Sequence, residues 1–305
     1  MSNKYKVDNA IIMAAGISSR FAPLSYEIPK ALISVKGEVL IERQIRQLYD
    51  SGIKDVYIVT GYKSEAFQYL KDKYGVVLIH NTDYASRNNN SSIRAAKEVI
   101  RNTYICSADN YFSQNPFETE VDDSYYAAVY SEGKTKEWCM LENADGNISS
   151  VQIGGENAWY MLGHSFWAEP FSSKFLKLLH DIYDKPETGN KLWESIFMEY
   201  LNELPMKIRK YSKDIIYEFD SLDELREFDT SYIYDTRSKF IKLMAEKLNC
   251  KESELHSFRP LTNANGLVFG FSFNSPSGIY QCDYVTKGQR LLNNKNKIDL
   301  VNLQI

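Results

Sequence analysis

The residues best suited to chemistry lie close together near the N-terminus. Gly16, Ser18 and Ser19 follow a short apolar run at residues 10–15, and Arg20 and Lys30 come after them. The backbone N–H groups of a Gly/Ser turn that follows a strand can face an anion, and Arg and Lys side chains hold phosphate oxygens. The spacing therefore predicts a triphosphate site, against the alternative of a structural turn with two surface cations.

Two carboxylates could hold a metal ion beside these cations. Asp109 ends one apolar, strand-like segment, and Asp220 ends another much further along the chain. Carboxylate oxygens suit Mg²⁺, which usually keeps waters and substrate phosphates as its other ligands. Each aspartate alone could equally be a turn former or a helix cap, and Asp220 with Ser221 could form only an N-cap. As a pair they predict a Mg²⁺ site.

Aromatic side chains that could bind a cation are concentrated in residues 125–200. This segment contains all four tryptophans of the chain, Trp138, Trp159, Trp167 and Trp193. Glu137 directly precedes the first of them. Aromatic faces beside a carboxylate attract a quaternary ammonium group through cation–π contacts. We expect at least two of the tryptophans to line such a pocket; the alternative is that they are core aromatics under a small sheet.

The elements that must position these residues can be read from the apolar pattern. Strand, loop and helix signals alternate at intervals of about 25 residues, which predicts parallel strands joined by right-handed crossovers. Ligands of such sheets bind at the carboxyl ends of the strands. The polar clusters that follow predicted strands are residues 16–20, 60–62 and 81–92 and Asp109. We therefore expect them to form one site at one edge of the sheet.

The predicted fold class is α/β. We expect a Rossmann-like mixed, mostly parallel sheet with helices on both faces, plus a small α+β C-terminal extension. The main domain is assigned to residues 1–231, with an acceptor-binding insertion at about 125–200, and the extension to residues 232–305.

Composition narrows the class of protein. A net charge of −4 on 305 residues offers no electrostatic reason to expect nucleic acid or a membrane as partner. No apolar stretch approaches the length of a membrane span, and the first residues do not resemble a signal peptide. None of the four cysteines forms a CxxC pair. We expect a cytoplasmic protein.

Several motifs together resemble a known family. The segment from Ala14 to Arg20, followed by Pro29 and Lys30, resembles the signature of nucleotidyltransferases that activate small phosphates and sugar phosphates. Further motifs are similar to the bacterial CTP:phosphocholine cytidylyltransferases: Asn81 and Tyr84 with residues 88–92, residues 107–111, Glu137 and Trp138, residues 165–167, and residues 217–221. The resemblance covers about residues 8–230.

The resemblance implies a role for each candidate residue. The nucleotide phosphates would be held by Ala15, Gly16, Ser18, Ser19, Arg20 and Lys30. The cytosine and ribose would lie near Asn81, Asn88 and Ser92. Mg²⁺ would be bound by Asp109 and Asp220, which with Arg20 and Lys30 form the catalytic set. The acceptor would contact Tyr84, Glu137, Trp138, Trp159, Trp167 and Trp193. One departure is Ser18, where the family usually has a second glycine.

The implied reaction transfers CMP from CTP to phosphocholine, giving CDP-choline and pyrophosphate. An alternative keeps the reaction and takes phosphoethanolamine, 2-aminoethylphosphonate or a sugar 1-phosphate as acceptor. An alternative of another class is a catalytically silent, nucleotide-sensing or scaffold protein.

The C-terminal extension carries a fainter resemblance. Residues 259–265 are similar to the start of a choline-kinase-like fold, but no lobe bearing a catalytic Asp follows. We predict that the extension has no kinase activity. Three interpretations stay open: a structural remnant, an element that forms a homodimer, or the beginning of a longer protein.

Overall fold

The described part of the chain forms two compact units. The computed structural model of the protein describes residues 4–263, 268–283, 289–293 and 297–300. The first unit comprises Met1–Gly16 and Glu38–Glu218, and the second comprises Ile17–Gly37 and Phe219–Ile305. The domain boundary predicted after residue 231 is a different division and stays a prediction.

Parts of the sequence pattern in the extension lie outside the described residues. They are Ala264 and Asn265 of the kinase-like motif, Leu267 at the start of a strand that the apolar pattern predicts at residues 267–273, and Tyr284 at the end of one that it predicts at residues 279–284.

The strands follow one another along the whole chain. They are β1 (Tyr5–Lys6), β2 (Asn9–Ala14), β3 (Ser34–Val35), β4 (Glu38–Val39), β5 (Val56–Thr60), β6 (Val77–His80), β7 (Thr103–Ser107), β8 (Asn110–Phe112), β9 (Glu120–Val121), β10 (Tyr125–Glu142), β11 (Ile148–Trp167), β12 (Lys207–Tyr211), β13 (Ile216–Glu218), β14 (His256–Thr262), β15 (Val268–Ser275), β16 (Gly278–Asp283), β17 (Gln289–Asn293) and β18 (Lys297–Leu300).

The α-helices follow in chain order. They are α1 (Leu24–Glu27), α2 (Leu40–Asp50), α3 (Tyr69–Tyr74), α4 (Asn90–Ala95), α5 (Glu169–Ile182), α6 (Trp193–Glu199), α7 (Leu222–Phe228), α8 (Ser231–Tyr234) and α9 (Lys239–Leu248). Short 3-10 turns add Ser19–Phe21, Lys30–Leu32, Ser64–Phe67, Pro186–Thr188 and Glu252–Glu254.

The first unit is built on a seven-stranded mixed sheet in the order β12-β10-β11-β7-β2-β5-β6. The strands β7, β2, β5 and β6 are parallel, and Ile12 of β2 lies opposite Ile58 on one side and Cys106 on the other. Five of the six residues of β2 are buried, as a strand covered on both faces requires. The predicted α/β fold is confirmed.

The inserted segment differs from the expectation in one respect. The apolar pattern predicts four short strands, at residues 125–130, 140–142, 148–153 and 159–167, with turns at residues 145–147 and 154–155. The structure instead has two long strands, β10 and β11, which pair in an antiparallel hairpin. The predicted turn at residues 145–147 is present, but the one predicted at Gly154 and Gly155 is wrong. Gly154 has φ of +79°, and the register of the hairpin shifts there, so the glycine allows a bulge instead of a turn.

The second unit combines helices with an antiparallel sheet. Its sheet has the order β14-β15-β16-β17-β18, whereas the apolar pattern predicts three strands, at residues 267–273, at residues 279–284 and near the end of the chain. The Ser221 hydroxyl accepts from the backbone N–H of Glu224 at the start of α7 (3.2 Å), and the Ser238 hydroxyl accepts from that of Ile241 at the start of α9 (3.0 Å). Both helices therefore begin at serine caps. No helix among the described residues is long and apolar enough to cross a bilayer.

Candidate active site

The first loop of the site leaves the sheet at the end of β2. The carbonyl oxygen of Ala15 accepts from the backbone N–H of Tyr62, just beyond β5 (3.1 Å). A Cβ atom added to Gly61 would lie 2.6 Å from the Tyr84 side chain and 2.9 Å from the Ala15 oxygen. Only glycine therefore lets these loops approach so closely. The carboxyl ends of β2 and β5 meet as the sequence predicted.

Residues 17–37, here called the phosphate segment, contain the two predicted phosphate-binding cations. Ser18 has φ of 53° and ψ of 49°, the left-handed conformation, and its carbonyl accepts from the N–H of Phe21 (2.9 Å). The serine thus adopts a conformation in which a glycine carries no steric cost. The departure from the family pattern at this position leaves the backbone in a glycine-like geometry.

Arg20 and Lys30 converge on one carboxylate. Arg20, whose side chain is 71% exposed, forms an ion pair with Asp220. The Lys30 ammonium lies 4.0 Å from the other oxygen of Asp220 and 5.6 Å from the centre of the Phe21 ring. Only 5% of the Lys30 side chain is exposed, so it approaches a ligand from a fixed direction, whereas Arg20 reaches out from the surface.

The alternative role of Asp220 as a helix cap is not observed. Ser221 caps α7, while the backbone N–H of Asp220 donates to the Glu224 carboxylate (2.7 Å). The carboxylate of Asp220 instead binds the predicted phosphate-binding cations. This places it at the predicted triphosphate site within the second unit.

Asp109 lies in the first unit, between β7 and β8. The next residue, Asn110, begins β8 and pairs with Glu218 of β13. The negative charges of Glu218 and Asp109 each raise the pKa of the Tyr126 phenol. No group of three His, Cys, Asp or Glu side chains that could hold a metal was found within the described residues. The joint role of Asp109 and Asp220 in binding Mg²⁺ stays a prediction.

The predicted base-binding residues Asn81 and Ser92 are buried. The Asn81 amide donates to the hydroxyls of Ser91 (2.8 Å) and Ser92 (3.3 Å), and its oxygen accepts from the N–H of Asp83 (2.9 Å). Their side chains therefore hold the loop between β6 and α4 in shape. Direct contact of these two side chains with a base is not supported by their burial.

Three consecutive asparagines join this loop to residues 188–194. Asn88 donates to the carbonyl of Asn190 (3.2 Å), and Asn90 donates to that of Thr188 (3.0 Å). Asn89 accepts from the backbone N–H of Trp193 (2.7 Å) and donates to the Glu194 carboxylate (3.0 Å). The predicted nucleotide loop is thereby bonded to the segment that leads into α6.

Glu194 is a functional candidate that the sequence did not single out. It is 9% exposed, and besides Asn89 its carboxylate accepts from the Tyr126 hydroxyl (3.3 Å). Burial raises the pKa of Glu194 to about 7, although its hydrogen bonds act in the opposite direction. Nothing local in the sequence distinguishes it from the exposed glutamates of other helices.

Several acidic side chains act electrostatically on Tyr126 and Tyr160. The pKa of Tyr126 is raised by burial, Glu194, Glu218 and Asp109, and that of Tyr160 is raised by burial, Glu137 and Glu218. These side chains lie on β10, β11, β13, α6 and neighbouring loops. We call Tyr126, Tyr160, Glu194 and Glu218 the acceptor cluster. Its negative charge suits a cationic group.

The four tryptophans fall into two classes. Trp167 and Trp193 are 0% and 1% exposed, and their rings lie 4.9 Å apart in the hydrophobic core. This corrects the prediction that they line an acceptor pocket, because neither presents a ring face to a ligand. Trp138 and Trp159 are only partly buried against the same core.

The remaining acceptor candidates are also partly accessible. Trp159 lies edge-on to Tyr130 with ring centres 5.3 Å apart, and the Lys210 ammonium lies 5.6 Å from the Trp159 ring. Tyr84 is half-buried beside Gly61, and Glu137 is exposed on β10. All of them lie in the first unit. Their contact with an acceptor stays a prediction.

The amino-acid sequence of the chain is similar to those of known proteins. Residues 10–117 match the family model of the MobA-like NTP transferase domain. The chain is 35% identical over 220 residues to the choline-phosphate cytidylyltransferase of Streptococcus pneumoniae, which covers 72% of this chain and 96% of that one. It is 37% identical over 236 residues to the 2-aminoethylphosphonate cytidylyltransferase of Lancefieldella rimae, covering 75% of this chain and 95% of that one.

Solved structures agree with these sequence matches. The CTP:phosphocholine cytidylyltransferase of S. pneumoniae superimposes with a TM-score of 0.71 at 35% identity and covers 74% of this chain and 99% of that one. The inositol-1-phosphate CTP transferase of T. maritima, at 15% identity and a TM-score of 0.56, covers 73% of this chain and 93% of that one, and shares the fold.

Proposed function

Since the chain belongs to the nucleotidyltransferase family that contains the bacterial choline-phosphate cytidylyltransferases, we propose that it transfers CMP from CTP to phosphocholine. The products are CDP-choline and pyrophosphate. The observation that carries the proposed reaction is the convergence of Arg20 and Lys30 on Asp220 in a segment that begins with a left-handed Ser18.

The proposed chemistry needs no general base. An oxygen of the phosphocholine phosphate, already anionic at neutral pH, attacks the α-phosphorus of CTP in line. A new P–O bond forms as the bond between the α-phosphorus and the bridging oxygen breaks, and the electron pair leaves with pyrophosphate. Catalysis then rests on positioning and on neutralising the charge of the leaving group.

Arg20 and Lys30 supply that neutralisation in the proposed mechanism. Both cations face the carboxylate of Asp220. A bound triphosphate offers them stronger multivalent anionic partners, and the Arg guanidinium can bind two oxygens at once. We propose that the two side chains transfer their contacts from Asp220 to the phosphates, with Ala15, Gly16, Ser18 and Ser19 providing the backbone around them.

Asp109 and Asp220 are proposed to hold Mg²⁺. Their oxygen donors fit this ion, which is commonly bound by one or two carboxylates together with substrate phosphates. When bound, the ion neutralises phosphate charge and aligns the reacting groups. Release of Asp220 from Arg20 and Lys30 as those side chains turn to the phosphates makes its carboxylate available for that role.

We propose that the acceptor carries a positive charge. The acceptor cluster combines the carboxylates of Glu194 and Glu218 with the phenols of Tyr126 and Tyr160. A cationic head group gains Coulombic stabilisation from these carboxylates, which the neutral hydroxyls of a sugar 1-phosphate do not. Trp138, Trp159, Tyr84 and Glu137 are the proposed contacts of the trimethylammonium group.

The second candidate acceptor is 2-aminoethylphosphonate. Glu194 and Glu218 can accept hydrogen bonds from a primary ammonium, which a trimethylammonium group cannot donate. The similarity to a 2-aminoethylphosphonate cytidylyltransferase supports the same candidate. Phosphoethanolamine shares this chemistry, so all three acceptors belong in one test.

The loop at residues 81–92 is proposed to receive the cytosine and ribose. Asn81, Asn88 and Ser92 act by holding its backbone, as their internal hydrogen bonds indicate. The specificity for CTP then depends on backbone groups of the loop.

The proposal also covers the cellular location and the partners of the protein. CTP and phosphocholine are small water-soluble molecules of the cytoplasm, and we propose that it acts there without nucleic acid or membrane. Light scattering during size-exclusion chromatography tests whether it forms a homodimer.

One experiment tests the proposed function. The protein is incubated with Mg²⁺, each of the four NTPs, and phosphocholine, 2-aminoethylphosphonate, phosphoethanolamine or a hexose 1-phosphate, and pyrophosphate release is measured. We expect the highest kcat/KM with CTP and phosphocholine. A preference for another acceptor changes the assigned substrate, and no release with any pair supports the silent, nucleotide-sensing alternative.

A further inference from the structure

The phosphate segment is bonded to the C-terminal extension within the second unit. Glu27, at the end of α1, accepts hydrogen bonds from the Ser238 hydroxyl and from the backbone N–H groups of Lys239 (2.8 Å) and Phe240 (3.2 Å). The first N–H groups of a helix have no partner inside that helix. A side chain of the phosphate segment therefore satisfies the start of α9.

A second attachment lies on the other side of Lys30. The carbonyl oxygen of Ser34 accepts from the Tyr232 hydroxyl (2.7 Å) and from the Arg237 guanidinium (2.9 Å). The backbone N–H of Lys36 donates to the Asp229 carboxylate (2.7 Å). The segment is thus held both before and after the buried lysine.

A third contact involves the turn that contains Arg20. Strand β14 of the extension packs beside the 3-10 turn Ser19–Phe21. The residues just before β14 are held by the buried guanidinium of Arg226, which donates to the carbonyls of Glu252 and Leu255 (2.7 Å each). Ser257, within β14, donates its N–H to the Asp223 carboxylate (2.7 Å). The strand is therefore fixed to α7, the helix that follows Asp220.

We propose that the C-terminal extension is a positioning element that holds the phosphate segment in the conformation that presents Arg20 and Lys30 to a triphosphate. The identity of that ligand rests on the proposed function. The extension acts through the Glu27 side chain, the Ser34 carbonyl and the Ser19–Phe21 turn, and none of its residues needs to touch the nucleotide. Loss of an attachment then weakens CTP binding and leaves the acceptor side of the reaction unaffected.

The test compares Glu27→Ala with Glu169→Ala in the full-length chain. Glu169 is a matched control because it lies in the first turn of α5, where it accepts from the Ser173 hydroxyl (2.6 Å), in the first unit. For Glu27→Ala we expect the Kd of CTP, measured by calorimetry, to rise about tenfold, while the acceptor KM changes less than about twofold. Amide hydrogen exchange in residues 17–37 should accelerate. The control should show none of these changes.

A second variant keeps the proposal testable if Glu27→Ala does not fold. Tyr232→Phe with Arg237→Ala removes both donors to the Ser34 carbonyl and leaves the α9 cap intact. It should show the same selective loss of CTP affinity. Unchanged CTP affinity in both variants, or an acceptor KM that rises as much as the CTP Kd, would overturn the proposal.

The calorimetric measurement also separates this inference from the proposed function. CTP binding can be measured without turnover. A wild-type protein that binds CTP but transfers CMP to no acceptor would remove the proposed function and still allow the positioning role to be tested.

Discussion

The phosphate segment and the acceptor cluster handle charge in opposite ways. In the phosphate segment, Arg20 and Lys30 supply positive charge, and Arg20 is largely exposed. In the acceptor cluster, Glu194 is buried and has a pKa of about 7, so its charge depends on pH. One region offers positive charge. The other offers negative charge that decreases when Glu194 is protonated.

The difference shows how one enzyme can distinguish two substrates that both carry phosphate. In the proposed mechanism, a triphosphate is attracted by Arg20 and Lys30 and repelled by the carboxylates of the acceptor cluster, while an ammonium group has the opposite preference. The buried carboxylate of Glu194 has a cost in folding free energy that the exposed Arg20 does not have. The comparison can be tested by changing one region at a time.

The largest effect is expected at Asp109. Asp109→Ala should lower kcat by about a thousandfold, because it removes a proposed metal ligand whose loss affects the transition state directly. The thermal midpoint should change little, since Asp109 is only partly buried. Asp145→Ala, in the exposed turn between β10 and β11, is the control. Turnover near that of wild type in the Asp109 variant would remove this residue from the mechanism.

The two classes of tryptophan should separate stability from acceptor binding. Trp193→Leu should lower the free energy of unfolding by about 3 kcal/mol, because it leaves a cavity beside Trp167 in the core. Trp159→Leu should cost less than about 1 kcal/mol but raise the acceptor KM several-fold. Denaturant unfolding and steady-state kinetics measure the two effects. The same pattern in both variants would contradict the division.

Glu194 should make stability depend on pH. Between pH 4.5, the value of an unperturbed glutamate, and its folded-state pKa of about 7, the folded protein holds a proton that the unfolded chain has lost. This contribution is fully present below about pH 4.5 and is lost as the pH rises through about 7. Relative to Glu194→Gln, wild type should therefore lose about 2–3 kcal/mol of unfolding free energy across this window.

Urea titrations of both proteins from pH 4 to 8.5 measure that difference. Parallel stability profiles for wild type and the Gln variant would show that the Glu194 carboxyl is accessible to solvent in the folded protein.

The smallest effect is expected from a conservative change in the phosphate segment. Arg20→Lys keeps the charge but loses the two-pronged contact with phosphate oxygens, so the KM for CTP should rise about tenfold. Unlike the Glu194 effect, this change should be constant from pH 6 to 8. Arg101→Lys, at an exposed position away from the phosphate segment, serves as control. A pH-dependent effect of Arg20→Lys would break the proposed contrast between the two regions.

Much of the fold was readable because its signals are local. The apolar run of β2, the Gly/Ser turn after it and the N-cap before α7 each depend on a few neighbouring residues. The inserted segment was harder, because a bulged strand and a turn contain the same glycines. Whether Gly154 ends a strand or lets it continue depends on the partner strand, which lies far away in sequence.

The sequence by itself identified Ser18, Arg20 and Lys30 as candidates for phosphate binding, since they are close in the chain and their residue types suit that chemistry. Tertiary structure alone decided which tryptophans are accessible and gave Glu194 its pKa of about 7. It also decided that the C-terminal extension binds residues 17–37. Burial and long-range hydrogen bonds arise from residues far apart in the chain, so no local pattern reports them.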